Sequence, residues 1–181
     1  TPCGTLFPYT TLFRSGIDHG TVTIMIGGDP FEITTLRREG PYSDRRRPDS
    51  VDYVRDIELD LSRRDFTVNA MAYDPLTAEL HDPFGARQDI SKKILRAVGD
   101  PSKRFEEDAL RTLRAARFAG TLGFGVEDGT SEAMAKFSQG LSAVSVERKR
   151  DELLKLLLAR EPSIGLDLLK RTACLGQVCH G

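Results

Sequence analysis

Arginines and carboxylates cluster at two places where their spacing suggests a site. In "RRDFTVNAMAYDP", Arg63 to Pro75, two arginines stand directly before Asp65. In "DPSKRFEEDALRTLRAARFAGTLGF", Asp100 to Phe124, Glu107 and Asp108 are followed by Arg111, Arg114 and Arg117 at intervals of three. At about 100° per residue, those three arginines share one helical sector roughly 120° wide. Guanidinium forks match phosphates and base edges, while carboxylates match ribose hydroxyls or divalent cations.

Each cluster has a plainer reading. The arginine stripe reads as a solvated face whose pairs, Glu107 with Arg111 and Asp108 with Arg111, are worth about 0.2–0.5 kcal/mol each. Against that, Leu110 and Phe118 lie in the same sector, and Ala109, Leu113, Ala115, Ala116 and Ala119 fill most of the rest. A helix without a clean polar face favours a cleft lining. Asp65 reads as the N-cap of a helix over "FTVNAMAY", with Arg63 and Arg64 facing solvent. It reads equally as part of an anion site at that helix's N-terminus, with the carboxylate accepting ribose hydroxyls. Glu32 is a third candidate, set in a strand on the face opposite Phe31 and Ile33. One strand carboxylate is ordinarily the wet side of a hairpin. It gains meaning with partners, because two-metal phosphoryl transfer needs several carboxylates converging on Mg²⁺ ions roughly 3.5–4 Å apart. No Asp-x-Asp pair on a neighbouring strand supplies them, and "DIELD", Asp56 to Asp60, lacks the spacing.

The elements that must position these residues follow from patterning. "TVTIMI" and "FEITTL" alternate on either side of the turn "GGDP", which predicts a hairpin. "RREGPYSDRRRPDS", Arg37 to Ser50, has eight charged residues in fourteen and predicts a long mobile loop. "VDYVRDIELDLSRRDFTVNAMAYD" alternates weakly before turning helical near Asp65, and "PLTAELHDPFGARQDI" reads as a turn-rich connection. From about Asp100 onward everything reads as helix, opening with Asp100 as cap and Pro101 at the first helical position, and closing first at Gly123. The fold class is α+β, an α+β segment joined to an all-helical one.

Composition narrows the class. Lys and Arg number 26 against 27 Asp and Glu, a net charge of −1, so contact with nucleic acid must come from local clustering rather than overall charge. No window approaches the roughly 18 apolar residues of a membrane span, and no signal-peptide layout opens the chain, which makes the cytoplasm the default. Cys3, Cys174 and Cys179 have no framework spacing and read as reduced thiols; with His180 they match no zinc pattern. Residues 1–15, "TPCGTLFPYTTLFRS", carry no sustained period, resemble a translated adaptor string, and are set aside from fold reasoning.

Taken together, "HGTVTIMIGGDPFEITTLR", "PYSDRRRPDSVDYVRDIELDLSRRDFTVNAMAYDP", "DPFGARQDI" and "AVGDPSKRFEEDALRTLRAARFAGTLGF" resemble the tRNA nucleotidyltransferase and bacterial poly(A) polymerase family, the class II CCA-adding enzymes. The likeness runs from about Gly16 to at least Leu158. It implies a partial polymerase-β-like nucleotidyltransferase head over 16–97, and over 98–181 a helical neck and the start of a body that bind nucleotide and RNA. It also implies CTP, ATP and the tRNA 3′ end as partners and Mg²⁺ as cofactor. Residue by residue, Arg64 and Asp65 match the family motif that contacts the incoming nucleotide and its ribose. Glu107, Asp108 and Arg111 match the motif that pairs with the base edge, and Arg114 and Arg117 match the nucleotide-binding arginines after it. Glu32 matches the strand carboxylate beside the family's metal-binding pair. The stretch from Arg37 to Ser50 matches the head loop associated with switching from C to A addition.

The resemblance departs in three places. The family's GGxVRD segment and its DxD metal-binding pair are expected before Gly16 and are absent from this chain. "FGA", Phe84 to Ala86, lacks a usual second glycine, and the body is expected to continue past Gly181. The activities implied are CCA addition, with poly(A) polymerase or a non-catalytic nucleotide- and RNA-binding remnant as alternatives. An exposed apolar face on the hairpin, with poor solubility, is a further expectation.

Overall fold

The computed structural model describes residues 10–13, 20–40, 42 and 48–179. Strands β1 (Thr10–Phe13), β2 (Thr21–Ile26) and β3 (Asp29–Thr34) form an antiparallel sheet in the order β1-β2-β3. The alternating hairpin is as expected, with Val22 opposite Ile33 and Ile24 opposite Phe31. Ile26, Phe31 and Ile33 are each about half exposed, so the hairpin carries apolar surface facing solvent. The segment set aside as foreign does contribute to the fold, since Thr10–Phe13 pairs with β2 in register from Thr10 and Ile26 to Phe13 and Thr23. Four residues are too few for a period to show in sequence; backbone pairing with a longer neighbour holds them in the sheet.

The stretch expected to be all loop after Leu36 begins with strand β4 (Arg37–Glu39), which pairs antiparallel with β5 (Val51–Tyr53) just beyond it. Residues 41 and 43–47 of that stretch lie outside the described residues. The helix expected from Asp65 lies earlier. It is α1 (Ile57–Ser62), capped by the Asp56 carboxylate on the Glu58 amide at 2.9 Å. Asp65 therefore follows a helix instead of opening one, and only a single 3-10 turn, Thr67–Asn69, comes after it. Phe66, Thr67 and Val68 are aromatic and β-branched, which weakens the helical preference there.

The expected turn-rich connection holds regular structure. Strands β6 (Ala72–Asp74) and β7 (Glu79–His81) pair, and helix α2 (Ala86–Lys92) follows. Strand β8 (Ile94–Leu95) pairs parallel with β9 (Gly125–Val126), a small exception to the all-helical expectation after Asp100.

The remainder is helical: α3 (Pro101–Glu107), α4 (Leu110–Leu122), α5 (Asp128–Lys136), α6 (Val146–Leu157), α7 (Pro162–Arg171) and α8 (Cys174–Cys179). Asp100 caps α3 through the Ser102 amide at 2.9 Å, and Gly123 ends α4 in the left-handed region, both as expected. What reads as one helix is two, because Asp108 is extended at φ −152°, ψ 106°.

The main core lies among the helices, built on Phe105, Leu113, Ala116, Met134, Leu141, Leu156 and Leu168, and it takes in Phe66 and Leu95 from the strand-rich half. Phe66 is fully buried and meets Phe118 edge-on at 5.7 Å. That ring contact holds the arginine–aspartate segment against α4. No described helix is long and apolar enough to cross a membrane.

Candidate functional site

Residues 65–67 run antiparallel to 96–98. The Val98 amide donates to the Asp65 carbonyl at 3.1 Å, the Thr67 amide to the Arg96 carbonyl at 2.9 Å, and Phe66 bridges Ala97. Thr67 also donates its hydroxyl to Asp89 Oδ2 at 2.6 Å, the same oxygen that receives Arg96 Nε at 3.0 Å. With Phe66 sunk in the core, the backbone around Asp65 is fixed on both sides.

Asp65, 8% exposed, uses both carboxylate oxygens. Oδ1 accepts from the Phe66 amide at 2.9 Å and from Asn69 Nδ2 at 3.2 Å. Oδ2 accepts from Arg114 Nε at 2.7 Å and lies 2.6 Å from Nη2 in the same ion pair. The expected N-cap role is thus replaced by a tie to α4.

Arg63 and Arg64 leave the end of α1 in a shared arrangement around Asp60, which is 2% exposed. Asp60 Oδ1 accepts from Arg63 Nη2 and Oδ2 from Arg64 Nη2, both at 2.7 Å, and the Arg37 amide adds a bond at 3.1 Å. Burial by itself raises the Asp60 carboxyl, and these hydrogen bonds outweigh it, holding the group below its ordinary value. Arg63 Nη1 continues to Glu39 at 2.8 Å.

At the break between α3 and α4, Asp108 Oδ1 accepts the Leu110 amide at 3.0 Å and restarts the helix. Its Oδ2 points across to α6, where Arg148 Nη2 donates at 2.7 Å. Arg111 donates from Nη1 to the Arg104 carbonyl at 3.0 Å and to Glu107, which also holds Arg104 at 3.2 Å. Burial works against the charge on Arg111, but the Glu107 carboxylate more than offsets it and raises its pKa. Both of its hydrogen bonds use Nη1, so they do not occupy the Nε and Nη2 edge of the guanidinium.

These segments enclose one cavity of about 470 Å³, lined by Glu39, Tyr42, Arg63, Arg64, Asp65, Asn69, Asp108, Leu110, Arg111, Arg114 and Arg148. That volume falls among small-molecule sites of roughly 300–1,000 Å³. Five arginines against three carboxylates give the lining a positive excess suited to a phosphorylated ligand.

Of the residues singled out in the sequence, Arg64, Asp65, Asp108, Arg111 and Arg114 come together here, and Glu107 adjoins through Arg111. Arg117 turns instead to Glu152 on α6 at 2.6 Å, with its guanidinium 4.0 Å over the Phe118 ring. Glu32 lies on exposed β3 opposite Thr23 and is not among the lining residues. Sequence reading missed Glu39, Tyr42, Asn69 and Arg148 as site residues. The signal for Arg148 was slight, since a charge run such as "VERKRDE" normally marks a solvated face. Cys174 is a buried free thiol whose pKa burial pushes up, while the Cys179 side chain and His180 lie outside the described residues.

Comparison with known proteins gives the family and the fold. Residues 5–96 match the family described as "Poly A polymerase head domain", and residues 123–178 match "Probable RNA and SrmB-binding site of polymerase A". The first match begins inside the stretch that had been set aside. The chain is 49% identical over 142 residues to a CCA-adding enzyme of Lactobacillus helveticus, covering 78% of this chain and 35% of that protein. It is 50% identical over 167 residues to one of Lactococcus lactis subsp. cremoris, covering 91% and 41%. The crystal structure of the Bacillus stearothermophilus CCA-adding enzyme in complex with CTP superposes with a TM-score of 0.81 at 41% identity, over 93% of this chain and 40% of that one. A tRNA nucleotidyltransferase complexed with a primer tRNA and an incoming ATP analog gives a TM-score of 0.77 at 28% identity, over 95% and 48%. The chain thus spans less than half the length of these relatives.

Proposed function

The chain belongs to the poly A polymerase head-domain family, and on that premise we propose that its cleft binds CTP and ATP for template-independent addition of C and A to the 3′ end of tRNA. The observation that carries the reading is a carboxylate and a guanidinium, Asp108 and Arg111, held at one wall of an arginine-rich cavity. Cytosine and adenine each present an exocyclic amino donor, and on the Watson–Crick edge a ring-nitrogen acceptor lies beside it. A carboxylate accepting from the amino group and a guanidinium donating to the ring nitrogen fit both bases. Uracil and guanine place a carbonyl and a ring N–H there, which leaves both protein groups unmatched.

To read a base, Asp108 Oδ2 exchanges its bond from Arg148, and Arg111 turns its Nε and Nη2 edge to the ring. Arg64, with 43% of its side chain exposed, takes the triphosphate. Asp65, fixed by Arg114 and by the backbone pairing to 96–98, accepts from the ribose hydroxyls. Residues 16–97 act as head, residues 98–181 supply the reading wall and the RNA contacts, and the setting is cytoplasmic. Attack of an RNA 3′-hydroxyl on the α-phosphate, with pyrophosphate as the leaving group, would be assisted by divalent cations, Mg²⁺ in this reading, which would supply charge neutralisation. The described residues do not fit that centre. No three His, Cys, Asp or Glu side chains among them converge on a metal position, and Glu39, Asp65 and Asp108 each face a guanidinium.

The test is calorimetric titration of CTP, ATP, UTP and GTP, before and after Arg111→Ala. The native chain should prefer CTP and ATP, and the variant should lose that preference by about tenfold or more, the cost of removing one charge-assisted hydrogen bond to the base edge. Unchanged selection in the variant would refute the template assignment.

A further inference from the structure

Tyr42 lies between β4 and β5, three residues from Glu39 and far in sequence from Asp108 and Arg111, yet it lines the same cavity as they do. Its hydroxyl donates to Glu39 Oε2. The other oxygen of Glu39 receives Arg63 at 2.8 Å and Arg37 at 3.1 Å, and the Glu39 side chain is only 8% exposed. Because Arg63 in turn rests on Asp60, which holds Arg64, a continuous run of charge-assisted hydrogen bonds links the Tyr42 ring to the triphosphate arginine. Burial, and then the bond to Glu39, push the Tyr42 phenol far above its ordinary value, so this hydroxyl is a donor and not a base.

The rest of the lining explains what such a ring is for. Asp108 and Arg111 meet a base at its edge, and the other lining groups are charged or polar apart from Leu110. A nucleobase also has two broad faces that must leave water, and Tyr42 is the one aromatic ring among the described lining residues. An aromatic face accepts any base, since every base has a π-face to offer. A ring already fixed by its hydroxyl loses little freedom when the base arrives.

Building on the nucleotide reading above, we propose that Tyr42 is a base-binding residue of the cleft, its ring latched by Glu39 and packed against the face of the incoming nucleotide. It sets affinity for C and A alike, whereas Asp108 and Arg111 set the choice of base.

Calorimetry with CTP and with ATP on the full chain tests this, alongside thermal melting. Tyr42→Ala should weaken both nucleotides about tenfold, the lower end of what a base–aromatic stack supplies, and leave the CTP-to-ATP ratio unchanged. Tyr42→Phe keeps the ring and loses only the latch, so it should restore most of that loss and sit about threefold below the native chain. Glu39→Ala and Tyr42→Phe remove the same bond, so the double variant should bind no more weakly than Glu39→Ala alone. Should Tyr42→Ala not fold, Tyr42→Leu repeats the test with comparable bulk and no flat face. Native affinity in Tyr42→Ala or Tyr42→Leu overturns the proposal alone, and so does a loss confined to one nucleotide or matched by Tyr42→Phe. A native chain that binds neither nucleotide overturns the proposal together with the function it rests on.

Discussion

Arg114 and Asp65 are 49 residues apart in sequence and meet at one carboxylate oxygen, through a hydrogen bond from Nε at 2.7 Å and an ion-pair contact from Nη2 at 2.6 Å. Replacing Arg114 by Met keeps its aliphatic stem over Phe118, whose ring centroid lies 5.5 Å from the guanidinium, and removes only the charged fork. The Asp65 carboxylate, 8% exposed, is then left with the Phe66 amide and the Asn69 side chain. A fully exposed pair contributes about 0.2–1 kcal/mol, whereas stripping one partner from a fully buried pair costs about 3–5 kcal/mol. With the Arg114 side chain 33% exposed, solvent screens part of the interaction, and an intermediate loss of about 2 kcal/mol follows. Asp65→Asn should cost about 1 kcal/mol, because the guanidinium it abandons still reaches water. The double variant should then cost less than the two singles together by about 1–2 kcal/mol. Urea unfolding followed by far-ultraviolet circular dichroism reads all four proteins, with the midpoint moving and the slope constant. Costs that add to within about 0.5 kcal/mol would refute the claim that this pair ties the arginine–aspartate segment to α4.

Two further outcomes follow from single residues. Because folding lowers the Asp60 pKa from its ordinary 3.8, its stabilisation is complete above that value and is lost as pH falls through the folded one. Asp60→Asn should therefore flatten the acid limb of a urea-stability profile below about pH 4, and a limb parallel to the native one would count against the network around it. At Gly165 on α7, an added Cβ would sit 2.4 Å from the Ala116 carbonyl oxygen on α4 and 2.5 Å from Leu156 Cδ1. Backbone cannot yield as a side chain can, so Gly165→Ala should cost about 3 kcal/mol by pushing the helices apart, and an unchanged melting temperature would disprove that contact.

What the sequence made legible was local. The β2–β3 hairpin followed from alternation across a glycine turn, and Asp100, Pro101 and Gly123 marked helix ends because capping depends on neighbours within four residues. Most of the site residues were found from the resemblance to known enzymes, with the arginine stripe already favouring a cleft. What escaped was long-range. Arg148 reaches Asp108 across 40 residues and Arg63 reaches Glu39 across 24, and no period or cap records such meetings. Tyr42 was hidden for a related reason, since it lies in a charged stretch whose composition signals only exposure. Asp65 was misjudged as a cap because the true start of the helix, Asp56 before "IEL", lay inside a weak alternation.

The break at Asp108 shows why one of those failures falls at the site itself. Periodicity runs unbroken from Pro101 to Leu122, and a continuous helix would hold residue 108 near αR, with its carboxylate kept to its own turn. Extending the backbone at that one residue forgoes regular helical bonding there, and the side chain recovers part of it by accepting the Leu110 amide. In exchange the other carboxylate oxygen swings off the axis to Arg148 on α6, while Arg111, one turn later, keeps its place on the same wall. An acceptor and a donor thus stand side by side in a way that two residues three apart on one uninterrupted helix would not. Local helix preference and the needs of the cleft conflict at this position, and the cleft prevails because Phe105 and Leu113, buried on either side of the break, anchor both helices in the common core.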